Sequence, residues 1–243
     1  MVKMIDLRCG DCLEVMKQIP DKSVDMILCD LPYGTTACKW DMVIPFDKLW
    51  EQYNRICKGV ICLFSAGLFT VDLINSNRKK FKYKLIWKKN TPTGICSAKC
   101  RPMKYYEEIC VFNDGVFNPQ PKPRTQIRKS SYKYRHSYCG SNHIKLNRLP
   151  KRYDPDWINP SDILEFNTVP NRNGKMHPTQ KPVPLCEYLI KTYTNENDTV
   201  LDNCMGSGTT GVACKHLNRN FIGIELDEHY FEIAKNRIES ELL

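Results

Sequence analysis

Residues 199–225 read TVLDNCMGSGTTGVACKHLNRNFIGIE. Val200-Leu201-Asp202 is an apolar run that ends in an acid, and Gly206-Ser207-Gly208-Thr209-Thr210-Gly211 follows it. Residues 209–217 carry apolar side chains at helical spacing, and Phe221-Ile222-Gly223-Ile224-Glu225 is a second apolar run that ends in an acid. The pattern predicts strand, glycine turn, helix, strand. Glycines at a strand-to-helix turn let a ligand approach the backbone, and the start of the helix favours an anionic group such as a carboxylate. Glu225 follows the turn by ~20 residues, a spacing that suits a carboxylate binding ribose hydroxyls. The same glycines would also serve an ordinary strand–helix–strand unit that packs tightly. Glu225 tips the reading towards a nucleoside-bearing cofactor.

The alternation extends in both directions. Upstream, strands are predicted at 4–8, 24–29, 60–64, 81–87, 108–112 and 162–166, with helices at 12–19, 46–56, 69–77 and 184–193. Downstream, 228–241 is a closing helix. Alternating strands and helices imply an α/β fold, a mostly parallel sheet with helices on both faces. The run 24–29, apolar but for Asp25, suits a strand buried on both sides. It leads into Asp30-Leu31-Pro32-Tyr33-Gly34, which places Asp30 at the carboxyl edge of the sheet, where such folds bind ligands. A carboxylate, the carbonyls of Leu31 and Pro32, and the ring of Tyr33 together suit an exocyclic amino group on a flat heterocycle. An ordinary Pro-Tyr-Gly turn is the plainer reading.

The alternation stops between 113 and 160. The chain thus divides into an alternating α/β part, 1–112 and 161–243, and an inserted recognition segment, 113–160. The whole chain has 243 residues, 42% of them hydrophobic, and a net charge of +9. Within 120–153 lie 10 basic residues and no acid, while the remainder holds 26 basic and 27 acidic residues. All the excess positive charge therefore sits in one segment. Lys122, Arg124, Arg128, Lys129, Lys133, Arg135, Lys145 and Arg148 are its candidate nucleic-acid-binding residues. Tyr132, Tyr134, Tyr138 and Tyr153 are interleaved with the cations, which favours a nucleic-acid surface over a merely solvated loop. No apolar run approaches the ~18 residues of a membrane span. The start of the chain lacks the apolar stretch of a signal peptide. A soluble, cytoplasmic protein is expected, so the 13 cysteines should be free thiols. Cys9/Cys12, Cys96/Cys100 and Cys139/His143 lack a second ligand pair at zinc spacing, and no metal is expected.

Taken together, the motifs carry a resemblance. Asp30-Leu31-Pro32-Tyr33 resembles the Asp-Pro-Pro-Tyr signature of S-adenosylmethionine-dependent amino-methyltransferases acting on DNA. The stretch from Asp202 to Thr210 resembles that family's cofactor loop, Asp-Pro-Phe-x-Gly-Ser-Gly-Thr-Thr. His177-Pro178-Thr179-Gln180-Lys181-Pro182 matches its His-Pro-x-Gln-Lys-Pro motif, and Gly10-Asp11-Cys12 stands where the family has Gly-Asp before its first helix. The catalytic motif precedes the recognition segment and the cofactor motif comes last, an order similar to the circularly permuted β group. The resemblance implies a Rossmann-like methyltransferase fold, with S-adenosyl-L-methionine as cofactor and double-stranded DNA as substrate. By analogy with relatives it also implies a homodimer and a companion restriction endonuclease.

The resemblance further implies roles. Asp30 and the Leu31 carbonyl hold the target amino group beside Pro32, and Tyr33 stacks on a base flipped out of the duplex. Asp11, next to Cys12, meets the cofactor's adenine, and Glu225 its ribose. Asp202, Gly206 and Gly208 shape the methionine pocket with Thr209 near the carboxylate. Pro178, Thr179 and Lys181 close over the cofactor. Asn203 and Cys204 depart from the family's Pro-Phe, and Met205 is one candidate to replace the missing aromatic packing. Methylation at cytosine C5 is set aside, because no Pro-Cys occurs among the 13 cysteines. Asp at position 30 resembles the N6-adenine type. N4-cytosine methylation is the alternative, and a catalytically idle DNA-binding relative is another.

Overall fold

A computed structural model of the chain describes residues 4–35, 41–95, 98–124, 157–170 and 180–240. They form two compact units, Met1–Asn118 with Ser161–Leu243, and Pro119–Pro160.

The larger unit is built on one eight-stranded sheet. Its strands are β1 (Ile5–Cys9), β2 (Val24–Cys29), β3 (Cys57–Ser65), β4 (Phe81–Thr93), β5 (Lys104–Phe112), β8 (Ile163–Glu165), β9 (Thr199–Asp202) and β10 (Asn220–Glu225). Their order is β1-β10-β9-β2-β3-β5-β4-β8. The first five run parallel, β5 is antiparallel to both its neighbours, and β8 is parallel to β4. The helices are α1 (Cys12–Met16), α2 (Phe46–Ile56), α3 (Leu68–Ser76), α4 (Val183–Tyr193), α5 (Thr209–His216) and α6 (Glu228–Ser240).

Strand pleating sorts the core into two layers. Met26, Leu28, Val60, Cys62 and Phe64 pack with Leu185 and Leu189 of α4, Val212 of α5 and Ile238 of α6. Ile27, Cys29, Ile61 and Leu63 face the other way, onto Met16 of α1, Leu49 and Tyr53 of α2, and Leu73 of α3. Helices therefore cover both faces. Helix α2 shows how the sequence achieves this: Leu49, Trp50, Tyr53 and Ile56 fall on one stripe and all are buried. The fold is Rossmann-like. Strands β2 and β9 lie side by side, yet the chain leaves β2 towards β3 and leaves β9 towards β10 on the other side. That divergence is the switch point at which ligands bind in open α/β sheets.

The β4–β5 hairpin is longer than the apolar runs 81–87 and 108–112 suggest. The ladder continues through Lys88↔Tyr106 and Thr93↔Lys104, where backbone hydrogen bonds hold strands that carry polar side chains. The smaller unit is described only at its ends, where β6 (Lys122–Pro123) pairs antiparallel with β7 (Trp157–Ile158) and Arg124 donates to the Trp157 carbonyl. Arg128, Lys129, Lys133, Arg135, Lys145 and Arg148 lie outside the described residues, as do Pro178 and Thr179. Among the described residues no helix is long and apolar enough to cross a membrane.

Candidate active site

The carboxyl ends of β1, β2, β9 and β10 open onto one cavity of 890 Å³, within the usual range for a small-molecule site. Asp11, Cys12, Asp30, Leu31, Pro32, Tyr33, Lys181, Asp202, Gly206, Thr209 and Glu225 all line it. The two halves of the sequence reading, with Asp30 and Asp202 172 positions apart, therefore meet in one space.

One end of the cavity is the glycine turn. Glu225 closes β10 with both oxygens engaged: Oε2 accepts from the Gly206 N–H at 2.8 Å and Oε1 from the Asp227 N–H at 2.9 Å. The carboxylate thus ties the turn after β9 to the turn after β10. Burial pushes its carboxyl up, and the backbone donors pull it back. Asp202 is almost fully buried, accepts from the Cys204 N–H and the Thr210 hydroxyl, and is pushed up to about 6, mainly by burial. Asp11 caps α1, its Oδ1 accepting from the Leu13 and Glu14 N–H groups. The Cys12 thiol is lowered by a hydrogen bond from Cys204. An acidic rim, a glycine turn and an apolar floor together fit a cofactor with ribose, amino and carboxylate groups.

The glycines of this turn divide their work. Gly208 starts α5 at φ +75°, and a Cβ there would stand 3.0 Å from Ala234 and Ile238 of α6. Its role in the structure is close helix packing together with a left-handed backbone, rather than contact with the cavity. A Cβ on Gly223 would lie 2.4 Å from the Met205 sulfur, so this glycine admits Met205 to the pocket floor. Asn203, which stands at the family's proline, accepts from the Tyr53 hydroxyl at 2.5 Å.

The other end is the turn after β2. The Tyr33 hydroxyl donates to Asp30 Oδ1 at 2.8 Å, and one face of its ring stacks on Phe69 with centroids 4.7 Å apart. Asp41 fixes this turn: it accepts from the backbone N–H groups of Tyr33 and Gly34 through Oδ1, at 2.7 and 2.9 Å, and of Thr35 through Oδ2, at 2.9 Å. The other oxygen of Asp30, Oδ2, is held by the Lys181 ammonium. Lys181, which the sequence reading places over the cofactor, therefore reaches the Asp30 carboxylate. Its Nζ also lies 3.3 Å from Glu107 Oε2 and 4.9 Å from the Phe64 ring centroid. Glu107 Oε1 in turn holds Lys89.

Burial alone would lower the Lys181 ammonium, but Asp30 and Glu107 outweigh it and hold the group protonated. Burial would raise Glu107, and its two lysines hold it down. For Asp30 burial wins, pushing the carboxyl above the ordinary range although Lys181 pulls the other way.

Asp41, Lys89 and Glu107 are absent from the sequence reading. A signal existed for one of them. Leu85, Trp87 and Lys89 occupy successive inward positions of β4, and a lysine that continues a buried face calls for a buried counter-ion. Glu107 is that counter-ion, on a strand whose full length the pattern did not reveal. Nothing in the sequence marks Asp41, whose role arises from a turn closing on itself.

Comparisons with known proteins agree with this geometry. A family model described as DNA methylase, of the N6/N4 methyltransferase type, matches residues 24–236. The chain is 30% identical to the Type II methyltransferase M.HpaI of Haemophilus parainfluenzae, over 97% of this chain and 74% of that protein. It is 28% identical to the Type II methyltransferase M2.DpnII of Streptococcus pneumoniae, over 96% of this chain and 88% of the relative. Among solved structures, the M1.HpyAVI–SAM complex superposes with a TM-score of 0.66 at 27% identity, covering 97% of this chain and 99% of the other. The cytosine-N4-specific PvuII DNA methyltransferase shares the fold, with a TM-score of 0.68 at 15% identity, over 99% of this chain and 89% of the other. The family match extends from β2 into α6 and so takes in both ends of the cavity; the chain belongs to the DNA methylase family.

Proposed function

We propose that the protein transfers a methyl group from S-adenosyl-L-methionine to the N6 amino group of adenine within a specific sequence of double-stranded DNA. The observation that carries this reading is the position of Asp30, half-buried at the edge of the cavity, with the Tyr33 ring beside it and the glycine turn across the same space. The M1.HpyAVI relative, bound to SAM, supports the cofactor assignment. The motif order supports membership of the permuted β group.

The cofactor supplies, when bound, a methyl group on an electrophilic sulfonium. The protein's own residues account for the rest. Glu225 and Asp11 offer acceptors for ribose and amino groups, and Asp202 and Met205 shape the far wall. A base stacked in duplex DNA hides its amino nitrogen, so the base leaves the helix, at a cost of a few kcal/mol. Tyr33 offsets part of that cost by offering its ring. Its other face is held by Phe69 and its hydroxyl by Asp30, so the ring is fixed before the base arrives. An aromatic amino nitrogen is a poor nucleophile because its lone pair is conjugated. Asp30 and the Leu31 carbonyl, accepting its two hydrogens, would favour a pyramidal nitrogen with its lone pair free for the methyl group. As the N–C bond formed, the methyl–sulfur bond would break to leave a thioether, and the nitrogen would lose one hydrogen as a proton through its hydrogen bond to Asp30 and on to solvent. No covalent enzyme intermediate is needed. The basic segment 120–153 neutralises DNA phosphates.

Incubating plasmid DNA with protein and cofactor, then sequencing it with modification detection, tests the base and the site together. N6-methyladenine at one recurring sequence is the expected result. N4-methylcytosine would replace the adenine reading, and unmodified DNA would remove the activity.

A further inference from the structure

Asp30 has no unengaged oxygen in this structure. Tyr33 donates to Oδ1 and the Lys181 ammonium to Oδ2, so an incoming amino group must share an oxygen with one of them or loosen it. A neutral amino group does not loosen the buried Lys181 ammonium from Asp30 unless the ammonium keeps a counter-charge, because a stranded buried charge costs several kcal/mol. Glu107 stands ready for that purpose. Its Oε2 is buried with no hydrogen-bond partner, 3.3 Å from Lys181 Nζ, while its Oε1 is occupied by Lys89. A buried carboxylate oxygen without a hydrogen bond is uncommon enough to require an explanation.

We propose that Glu107 is the alternative seat of the Lys181 ammonium, and that the target amino group reaches Asp30 as this ammonium shifts from Asp30 to Glu107. The inference rests on the reading that Asp30 receives the amino group. The shift needed is small, since contraction of a 3.3 Å contact to a full hydrogen bond moves Nζ by a fraction of an ångström. Lys89, Lys181, Asp30 and Glu107 carry two positive and two negative charges, and Lys181 moves so little that it stays beside Asp30 as it turns to Glu107, so the exchange strands none of them. Lys89 holds the far oxygen of Glu107 and keeps the near one aimed at Lys181. Glu107 is thus a positioning residue that acts through Lys181.

Glu107→Gln keeps the shape and removes the counter-charge, leaving Lys181 to Asp30 alone. Single-turnover methyl transfer should fall about tenfold or more, the scale of a hydrogen bond to a charged group. Cofactor affinity by calorimetry should be unchanged. The acid limb of the pH–rate profile should move to lower pH, because an undivided Lys181 favours ionised Asp30. The titratable groups facing Asp30 are Cys29, Tyr33, Glu107, Lys181, Cys186 and Asp202, and only Glu107 is altered. Glu107→Asp, which restores the charge, should recover much of the rate. A purely structural role would slow transfer with the acid limb unmoved and no recovery by Asp, and would overturn the proposal. So would a Gln variant as fast as wild type. On the wild-type protein, the side-chain 15N signal of Lys181 should move on binding a cognate duplex and stay in place when purine, which lacks the amino group, replaces the target adenine. Equal spectra overturn the proposal even if neither variant folds. A wild-type protein that methylates DNA beside these negative results would sink this inference alone; one that methylates no DNA would sink the underlying reading and this inference with it.

Discussion

Replacing Glu225 tests its structural tie and its proposed cofactor contact separately. Its carboxylate accepts from the Gly206 and Asp227 N–H groups at 2.8 and 2.9 Å, so the side chain is part of the fold before any cofactor arrives. A hydrogen bond to a charged group contributes about 1.5–3 kcal/mol. The site is half-buried, which argues for the lower end, so Glu225→Ala should destabilise the protein by about 2–4 kcal/mol. For a chain of this size that lowers Tm by about 5–15 °C. Glu225→Gln keeps one carbonyl acceptor and should lose about half as much. If the same carboxylate also receives ribose hydroxyls, the Gln variant should bind S-adenosyl-L-methionine about 10- to 150-fold more weakly, the same energy converted to affinity. Thermal melts and isothermal calorimetry on Gln and Ala variants measure the two effects separately. A Gln variant that melts lower yet binds the cofactor as tightly as wild type would refute the ribose assignment and leave Glu225 as a tie between two turns.

Three further outcomes follow from the same geometry. Asp202 is raised from 3.8 to about 6, so the folded state holds its proton more tightly than the unfolded chain does. That stabilisation is full below about pH 4 and is lost as the pH rises through about 6, roughly 3 kcal/mol in all. Asp202→Asn cannot titrate and should therefore gain about that much relative to wild type between acid and neutral pH, which urea denaturation at both pH values measures; a constant difference would contradict the burial argument. Asp41→Ala removes the acceptor of three backbone N–H groups around Tyr33 and should lower the methyl-transfer rate by about tenfold or more with cofactor affinity intact, whereas equal rate and affinity would show that the turn holds without it. Replacing Lys129, Lys133 and Arg135 with Ala should flatten the slope of log DNA affinity against log salt by about one to three units, and parallel plots would remove these cations from the DNA interface.

Much of this fold was legible because its core strands are buried on both faces. Runs such as Val24–Cys29 and Thr199–Asp202 are short and apolar, as strands buried on both faces require, and helices α2 and α4 announce themselves by spacing and a flanking proline. The polar ends of β4 and β5 were hidden because hydrogen-bonded backbone, not side-chain pattern, defines them. The site was legible wherever chemistry is local in sequence: an acid at a strand end, a glycine turn, an acid at the next strand end. It was not legible where a side chain acts across the fold. Lys181 and Asp30 are 151 positions apart, and only the sheet brings Lys181 to Asp30 and Glu107 at once. The glycine turn also carried two meanings, and both hold in part, since Gly206 lines the cavity while Gly208 packs on α6.

The central proposal is that Asp30, at the edge of this cavity, receives the amino group of an adenine in DNA while that nitrogen takes a methyl group from the cofactor. Its most direct test is mass spectrometry of nucleosides digested from DNA that has been incubated with methyl-labelled cofactor and either wild-type protein or Asp30→Ala. Label in N6-methyldeoxyadenosine for wild type, at least about a hundredfold lower for the variant, with cofactor binding retained by both, is the predicted result. Label in deoxycytidine, or equal labelling by the two proteins, would contradict it.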